Sequence, residues 1–365
     1  MLEKALKGSK AYWGWIFVLL VLIGIGAGFW LYQLNQGLGV TGLNRDVSWG
    51  LYIAQFTFLV GVAASAVMVV LPYYLHDFKA FGKITIMGEF LAIPACIMCM
   101  GFIFVDMGRP DRIINVFIHP TPNSVMFWDT VVLFGYLLLN LTIGWTMLTS
   151  ERKGTPPPRW VKPLIYVSIP WAVSIHTVTA FLYAGLPGRG FFMTAIMAPR
   201  FLASAFAAGP AFLILALLVV KRFTKFDAGE VALRKLGQIM TYAMFVSVFF
   251  FLMEVFTTFY SNIPEHKHHF WYLFKGGPWW LLGAMWGFVV LAVISLVILV
   301  NPRTRNNLTT LAVGAGCVFV AAWLEKGLGL IIGGFTPNPF GEYTVYTPTL
   351  PEIAEFMSRL YGEEV

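Results

Sequence analysis

Charged residues are scarce in this 365-residue chain: 12% are charged and 58% are hydrophobic. Soluble domains carry about 25% charged residues, so a water-soluble enzyme and a disordered segment are both excluded. Cysteine is nearly absent, with three residues. Cys96 and Cys99 lie one turn apart inside an apolar run, with no second pair to complete a four-thiolate site and no His following for covalent haem attachment; they read as small packing residues. Histidine is also sparse, with six residues, and only His176 falls well inside an apolar run. A b-type haem in a helical bundle needs two axial ligands at membrane depth, which argues against a bis-His cytochrome. No P-loop, dinucleotide fingerprint or nucleophile elbow occurs. The chain is therefore expected to hold no haem, no iron–sulfur cluster and no other metal. The outer run His266-Lys267-His268-His269 reads either as a weak transition-metal site or as a solvated polar loop.

Long apolar runs are abundant. Runs of about 20 such residues can each cross the roughly 30 Å hydrocarbon core as helices. They fall at 13–34, 47–75, 84–107, 125–149, 163–186, 196–220, 237–261, 279–300 and 308–334. The expected fold class is all-α, a polytopic membrane protein with about nine transmembrane helices. The first run is too long for a removable signal peptide and reads as a retained helix. Of the 25 Lys and Arg residues, sixteen fall in one set of loops, eight in the other, and Lys326 inside a span. The positive-inside rule then puts the N-terminus in the cytoplasm and the C-terminus outside. The outer loops, 106–124 and 262–278, and the tail from 335 are long and mix aromatic with charged residues. They read as a docking surface, or as an interfacial aromatic belt. The acidic stretch 351–365 is expected to form a short surface helix from Pro351, with Ile353, Phe356, Met357 and Leu360 on one side.

Six ionisable residues break the apolar runs: Glu89, Asp129, His176, Glu254, Glu325 and Lys326. Each buried charge costs about 2.5–3.5 kcal/mol on insertion scales, so such residues usually face a partner, a cavity or a transport path. Most lie in the outer half of their spans, near Asp106, Arg109 and Arg200, with Glu89 alone at the inner end. Asp129 and Tyr136 share a helix face seven residues apart. An outer polar pocket with a sparse polar chain leading inward suits quinone chemistry, which needs an apolar slot, hydrogen-bond donors and titratable groups. The alternative is that the acids pair with Arg or hydroxyl groups and lock helices together.

The runs DMGRPDR at 106–112, His119-Pro120, SVMFWD at 124–129, SIHTVTAFLYAGLPGRGFF at 174–192 and APRFLASAFAAGPA at 198–211 resemble the NrfD/PsrC family of quinone-interacting membrane subunits. Glu254 and YTPTLPEI at 346–353 fit too. The resemblance spans nearly the whole chain and is strongest to the P-type subunits of Dsr sulfur-metabolism complexes. It implies a single membrane domain of two antiparallel four-helix bundles, 47–186 and 196–334, with a flanking helix and an outer tail, 335–365. It implies menaquinone as the bound substrate, an extracytoplasmic ferredoxin-like iron–sulfur partner, and further membrane and cytochrome subunits. Residues expected around the head group are Trp49, Tyr52, Gln55, Asp106, Arg109, Asp129, Tyr136, His176 and Arg200. Asp129, His176 and Glu254 are the expected proton-handling groups, and Glu89, His176, Glu254 and Glu325 the expected proton route. Larger family members often carry a tenth span after the PTLPEI stretch, which is not expected here. Two rival functions remain open: proton translocation coupled to the partner's redox change, and passive anchoring.

Overall fold

The computed structural model describes residues 8–63, 65–224 and 226–361, without side-chain detail at 65 and 359–361. The tail residue Leu360 therefore lies outside the described side chains. Among the described residues there are only helices, turns and irregular connections, with no strand. Among the same residues, nine helices are long and apolar enough to cross a membrane. They are α1 (Lys10–Gln36), α2 (Leu51–Leu75), α3 (Gly82–Asp106), α4 (Val125–Lys153), α5 (Val161–Ala184), α6 (Met197–Phe223), α7 (Glu230–Tyr260), α8 (Trp279–Val300) and α9 (Leu308–Phe335). A tenth helix, α10 (Leu350–Tyr361), follows. This is a multi-pass membrane protein.

The architecture is built around α2. Its sequence from Leu51 to Ala63 holds no charge, and every one of those side chains is buried. Protein rather than lipid surrounds it: α3, α5, α6 and α9 all pack against it. The remaining neighbours follow chain order, α3 on α4, α4 on α5, α5 on α6, α6 on α7, α7 on α8, α8 on α9 and α9 back on α6. Near its end α9 loosens into a π-helical turn, Trp323–Gly329, and there Trp323 Nε1 donates to Gln55 Oε1 of α2 at 2.8 Å. Such turns insert one residue and are frequent at functional sites.

Helix ends differ from the apolar runs where charge continues the helix beyond hydrocarbon. The seventh helix starts at Glu230 rather than near 237 because Arg234 donates to Glu230 at 2.7 Å, one turn apart on its exposed face. The second starts at Leu51 rather than 47. Asn44 Oδ1 accepts from the Asp46 and Val47 amides at 2.9 and 2.8 Å, which holds 44–47 in a turn.

The tail folds into the short helix its sequence suggested. It packs lengthwise on α1, and Gly26 permits the contact, since a Cβ there would collide with Ser358 Oγ. Glu352, Glu355 and Ser358 face inward while Ile353 and Met357 are exposed. Phe356 also packs inward, with ring centroids 5.9 Å from Trp323 and 6.5 Å from Phe102, so the inner face mixes polar and apolar groups. The Glu352 carboxylate accepts from the Gly42 amide at 2.8 Å, the Thr349 amide at 2.9 Å and the Tyr346 hydroxyl at 2.9 Å. Tyr346 in turn accepts from the Leu51 amide at 2.9 Å, which ties the tail to the first turn of α2.

The outer histidines separate. His268 is exposed, with Nδ1 2.9 Å from the Tyr343 hydroxyl. His269, in the short helix Pro264–Trp271, is buried, and its Nδ1 faces the carbonyls of Gly333 and Thr336 at 2.5 and 2.9 Å. A ring nitrogen against two acceptors must carry the proton, so His269 is held as the Nδ1–H tautomer. Burial pushes its pKa down to about 4, against the help of the two backbone bonds. The neutral ring is thus favoured by folding. Its contribution to stability is complete above the unfolded pKa of about 6.5 and is lost as pH falls toward the folded value. Acidification from pH 7 to pH 4 should therefore cost about 3 kcal/mol through this group alone. Thermal unfolding in detergent at both pH values, compared with His269→Gln, should show a smaller acid penalty in the variant; equal penalties would refute the assignment.

Candidate functional site

A buried polar cluster lies at the end of the molecule that carries the long loops, where α2, α4 and α5 meet. Asp129 is in the second turn of α4, and Thr179 and Tyr183 are in the last turns of α5. The Thr179 hydroxyl donates to Asp129 Oδ1 at 2.6 Å and lies 2.7 Å from the Ile175 carbonyl. One hydroxyl proton cannot fully serve two acceptors, so a proton on Asp129 would complete the set. The Tyr183 hydroxyl is closely bonded to Thr57 Oγ1 of α2. Thr57 spends its own proton on the Ile53 carbonyl at 2.7 Å, so Tyr183 is the donor of that pair. Thr179 and Tyr183 are four residues apart on one face of α5, which makes the two hydrogen-bonded pairs neighbours.

Aromatic rings close around Tyr183. Trp49 meets it edge-on at 5.6 Å between centroids, Phe192 stands at 5.5 Å and Phe201 at 5.7 Å. Phe335 at the end of α9 touches both Trp49 and Phe192, at 5.4 and 5.8 Å. The loop after α5 fixes this wall. Arg189 donates to the Phe335 carbonyl at 2.9 Å and the Asp46 carbonyl at 2.7 Å, with its guanidinium 4.5 Å from the centre of the Phe335 ring. The site therefore offers flat apolar walls, a phenol, two threonine hydroxyls and one carboxylate.

The residues named from sequence fall into separate places. Trp49 and Asp129 are in this cluster. Tyr52 turns to α1, where its hydroxyl donates to Gln33 Oε1 at 2.9 Å, and Gln55 turns to Trp323. Tyr136 lies deeper on the same buried stripe of α4, within electrostatic reach of Glu89. Asp106 closes α3 and is half-buried, with Oδ1 buried and unpartnered among the described residues. Arg109 is exposed and grips Asp111 through two bonds of 2.9 Å. The other in-span acids have partners on neighbouring helices. Arg200 of α6 binds Glu325 of α9 through both Nε, at 3.0 Å, and Nη2, with both side chains buried. Thr194, just before α6, donates to Glu254 of α7. For these, helix-locking is visible directly.

Of the six ionisable residues that break the apolar runs, three are different: among the described residues, Glu89 Oε2, both ring nitrogens of His176 and Lys326 Nζ are buried without a hydrogen-bond partner, as is Asp106 Oδ1 at the end of α3. His176 is on α5, on the same face as Thr179 and Tyr183. Lys326 is in the π-helical turn of α9; its ammonium lies 4.3 Å from the centre of the Phe201 ring, and its charge reaches His176. Lys326 was conspicuous in the sequence as a lone cation inside a span but suggested no role. Tyr183 and Thr179 drew no attention as site residues, although the spacing 176, 179, 183 marks one helical face.

A profile of the polysulphide reductase NrfD family matches residues 39–337, and the chain belongs to this family. It is 28% identical to a putative dimethyl sulfoxide reductase membrane subunit of Halobacterium salinarum, covering 93% of this chain and 86% of that protein. It is 23% identical to an Hdr-like menaquinol oxidoreductase integral membrane subunit of Archaeoglobus fulgidus, covering 91% and 82%. It is 22% identical to a menaquinone reductase integral membrane subunit of Nitratidesulfovibrio vulgaris, covering 93% and 85%.

The Arg200–Glu325 pair generates a test by double-mutant cycle. Breaking a buried ion pair from one side strands a charge and costs about 3–5 kcal/mol, whereas replacing both partners by apolar groups is often close to neutral. Arg200→Met and Glu325→Met should each lower the thermal unfolding temperature strongly, and the double variant should recover most of the loss. Additive losses would show that the two side chains are not coupled.

Proposed function

We propose that this chain is the quinone-interacting membrane subunit of a respiratory redox complex, exchanging electrons between menaquinone and an extracytoplasmic iron–sulfur partner. The observation that carries the reading is the cluster at the loop-rich end: a carboxylate and a phenol side by side, each bonded to a threonine, behind a wall of aromatic rings. Menaquinol releases two electrons and two protons when oxidised. Asp129 is the group set to take a proton at its carboxylate, since Thr179 leaves its acceptor capacity incompletely served. Tyr183 would hold a carbonyl oxygen by turning its one phenol proton from Thr57 to the head group, and Trp49 and Phe335 would stack on or cover the flat ring. The names of the relatives support menaquinone as the quinone. The long loops above the cluster, at 106–124, 262–278 and 335–349, would seat the iron–sulfur subunit. In this reading 47–186 and 196–334 form the two bundles, the N-terminus is cytoplasmic, and the nearest functional setting is that of a Dsr-type sulfur-metabolism complex with a DsrO-like partner.

A second reading is favoured by one observation, the three unpartnered groups Glu89, His176 and Lys326 on α3, α5 and α9. Buried polar groups without protein partners are usually bridged by internal water. A hydrated line through them would carry protons from the basic end toward the quinone cluster, with Lys326 added to the expected route of Glu89, His176, Glu254 and Glu325.

The first reading is tested in the assembled complex. Asp129→Asn and Tyr183→Phe should each lower quinol-dependent electron transfer by about 10²-fold or more, the scale of lost general acid–base catalysis, with normal assembly. Rates within about twofold of wild type in both variants would rule out this cluster as the site and leave anchoring as the role. The second reading is tested in sealed vesicles. Lys326→Met should abolish proton uptake from the basic side while scalar electron transfer continues. Unchanged uptake would remove Lys326 from any route, and loss of both activities together would argue for a structural role.

A further inference from the structure

The opposite end of the molecule holds a cleft that the quinone reading does not use. It has a volume of about 390 Å³ and lies between the first turns of α7, the 301–306 connection and the turn after α2. Arg234, Lys235 and Arg305 line it, with Phe78 and Val231 as apolar walls, and no carboxylate is among its lining residues. Two acids at the start of α7 are already engaged: Glu230 by Arg234 at 2.7 Å, and Asp227 by Lys221 at 3.2 Å. Arg305 has one guanidinium nitrogen on the Leu299 carbonyl at 3.2 Å, while its Nε is buried with no partner among the described residues. Among the described residues Lys235 hydrogen-bonds only the Gln238 amide oxygen, at 3.1 Å. Three cations around one concavity, with donors left over, are chemically complementary to a phosphate oxyanion.

The surroundings decide what carries that phosphate. Val231 at the rim is 65% exposed, and beyond the polar Lys235 and Gln238 the helix carries an exposed apolar stripe of Tyr242, Phe245, Phe249 and Leu252, at 64%, 60%, 49% and 56%. These four recur at three- and four-residue spacing, so they form one face of the helix. On a membrane-spanning helix that face meets acyl chains. We infer that the cleft is a binding site for an anionic phospholipid, with its phosphate held by Arg234, Lys235 and Arg305 and an acyl chain lying on the α7 stripe. Basic pockets between transmembrane helices bind anionic lipid head groups in this manner. The site is independent of the quinone cluster and of the chain's orientation.

The test is native mass spectrometry of the full-length protein in detergent, titrated with phosphatidylglycerol or with phosphatidylcholine of the same chain length. Wild type should retain one phosphatidylglycerol with roughly tenfold or greater preference, since each surface cation contributes a few-fold. Arg234→Gln with Lys235→Gln should reduce that preference to about twofold, with unchanged thermal unfolding in lipid-free detergent. Both replaced side chains are half-exposed or exposed, and the only ion pair lost, the exposed Arg234–Glu230 pair at the first turn of α7, is weak enough to leave the global fold unchanged. Equal retention of the two lipids by wild type, or an undiminished preference in the variant, would overturn the proposal. Complete displacement of the lipid by millimolar inorganic phosphate would also overturn it, because the site would then belong to a soluble anion.

Discussion

In hydrocarbon no solvent is available to satisfy a polar group, and this constraint organises every unusual contact in the molecule. The backbone answers it by forming helices throughout the spans. The side chains answer it by pairing across helices: Arg200 with Glu325, Thr194 with Glu254, Thr179 with Asp129, Tyr183 with Thr57, Gln55 with Trp323. Each pair joins a different set of elements, so polar satisfaction and helix registration are the same event. The tail helix follows the same rule, turning Glu352 toward backbone amides and the Tyr346 hydroxyl while presenting Ile353 and Met357 outward.

The same constraint gives meaning to the groups that escape it. An acid already bonded to an arginine has a sufficient structural reason to be there. Glu89, His176 and Lys326 have none of that kind, and burying them costs free energy that the visible contacts do not return. Such a cost persists in a folded protein when hydrating water or a function offsets it. The position of Lys326 sharpens the point. It sits on the π-helical turn of α9, against Phe201 of α6 and close to Gly61, within the wholly buried Leu51–Ala63 part of α2.

Much of this was legible in the sequence. The nine apolar runs, their alternating basic loops and the family motifs are local signals written in consecutive residues. The six in-span ionisable residues are equally visible, because a charge among twenty apolar residues stands out. Pairing was not legible, since Arg200 and Glu325 are 125 positions apart and only the packing of α6 on α9 brings them together. For the same reason Tyr52 and Gln55, which share a polar face with Trp49 by spacing, are drawn to α1 and α9 instead of to the cluster. For the tail, amphipathicity gave two faces without saying what each would meet: Ile353 and Met357 are exposed, whereas Phe356, expected on the same side, packs toward Trp323 and Phe102.

The two ends of the molecule therefore differ in kind as well as in charge. At the loop-rich end, polar groups are enclosed by aromatic rings and by a loop arginine that grips two backbone carbonyls, an arrangement that excludes water while leaving a carboxylate and a phenol adjacent. Low dielectric strengthens hydrogen bonds to any oxygen placed there, and rigid walls reduce the reorganisation that proton transfer would require. At the basic end the cations are peripheral, half-exposed and set against apolar surface, which suits an amphiphile and not a reaction. Enclosed polar groups at one end and peripheral cations at the other follow from one chain because the spans fix which residues can reach water, and the loops and π-helical turn fix which of the rest can reach each other.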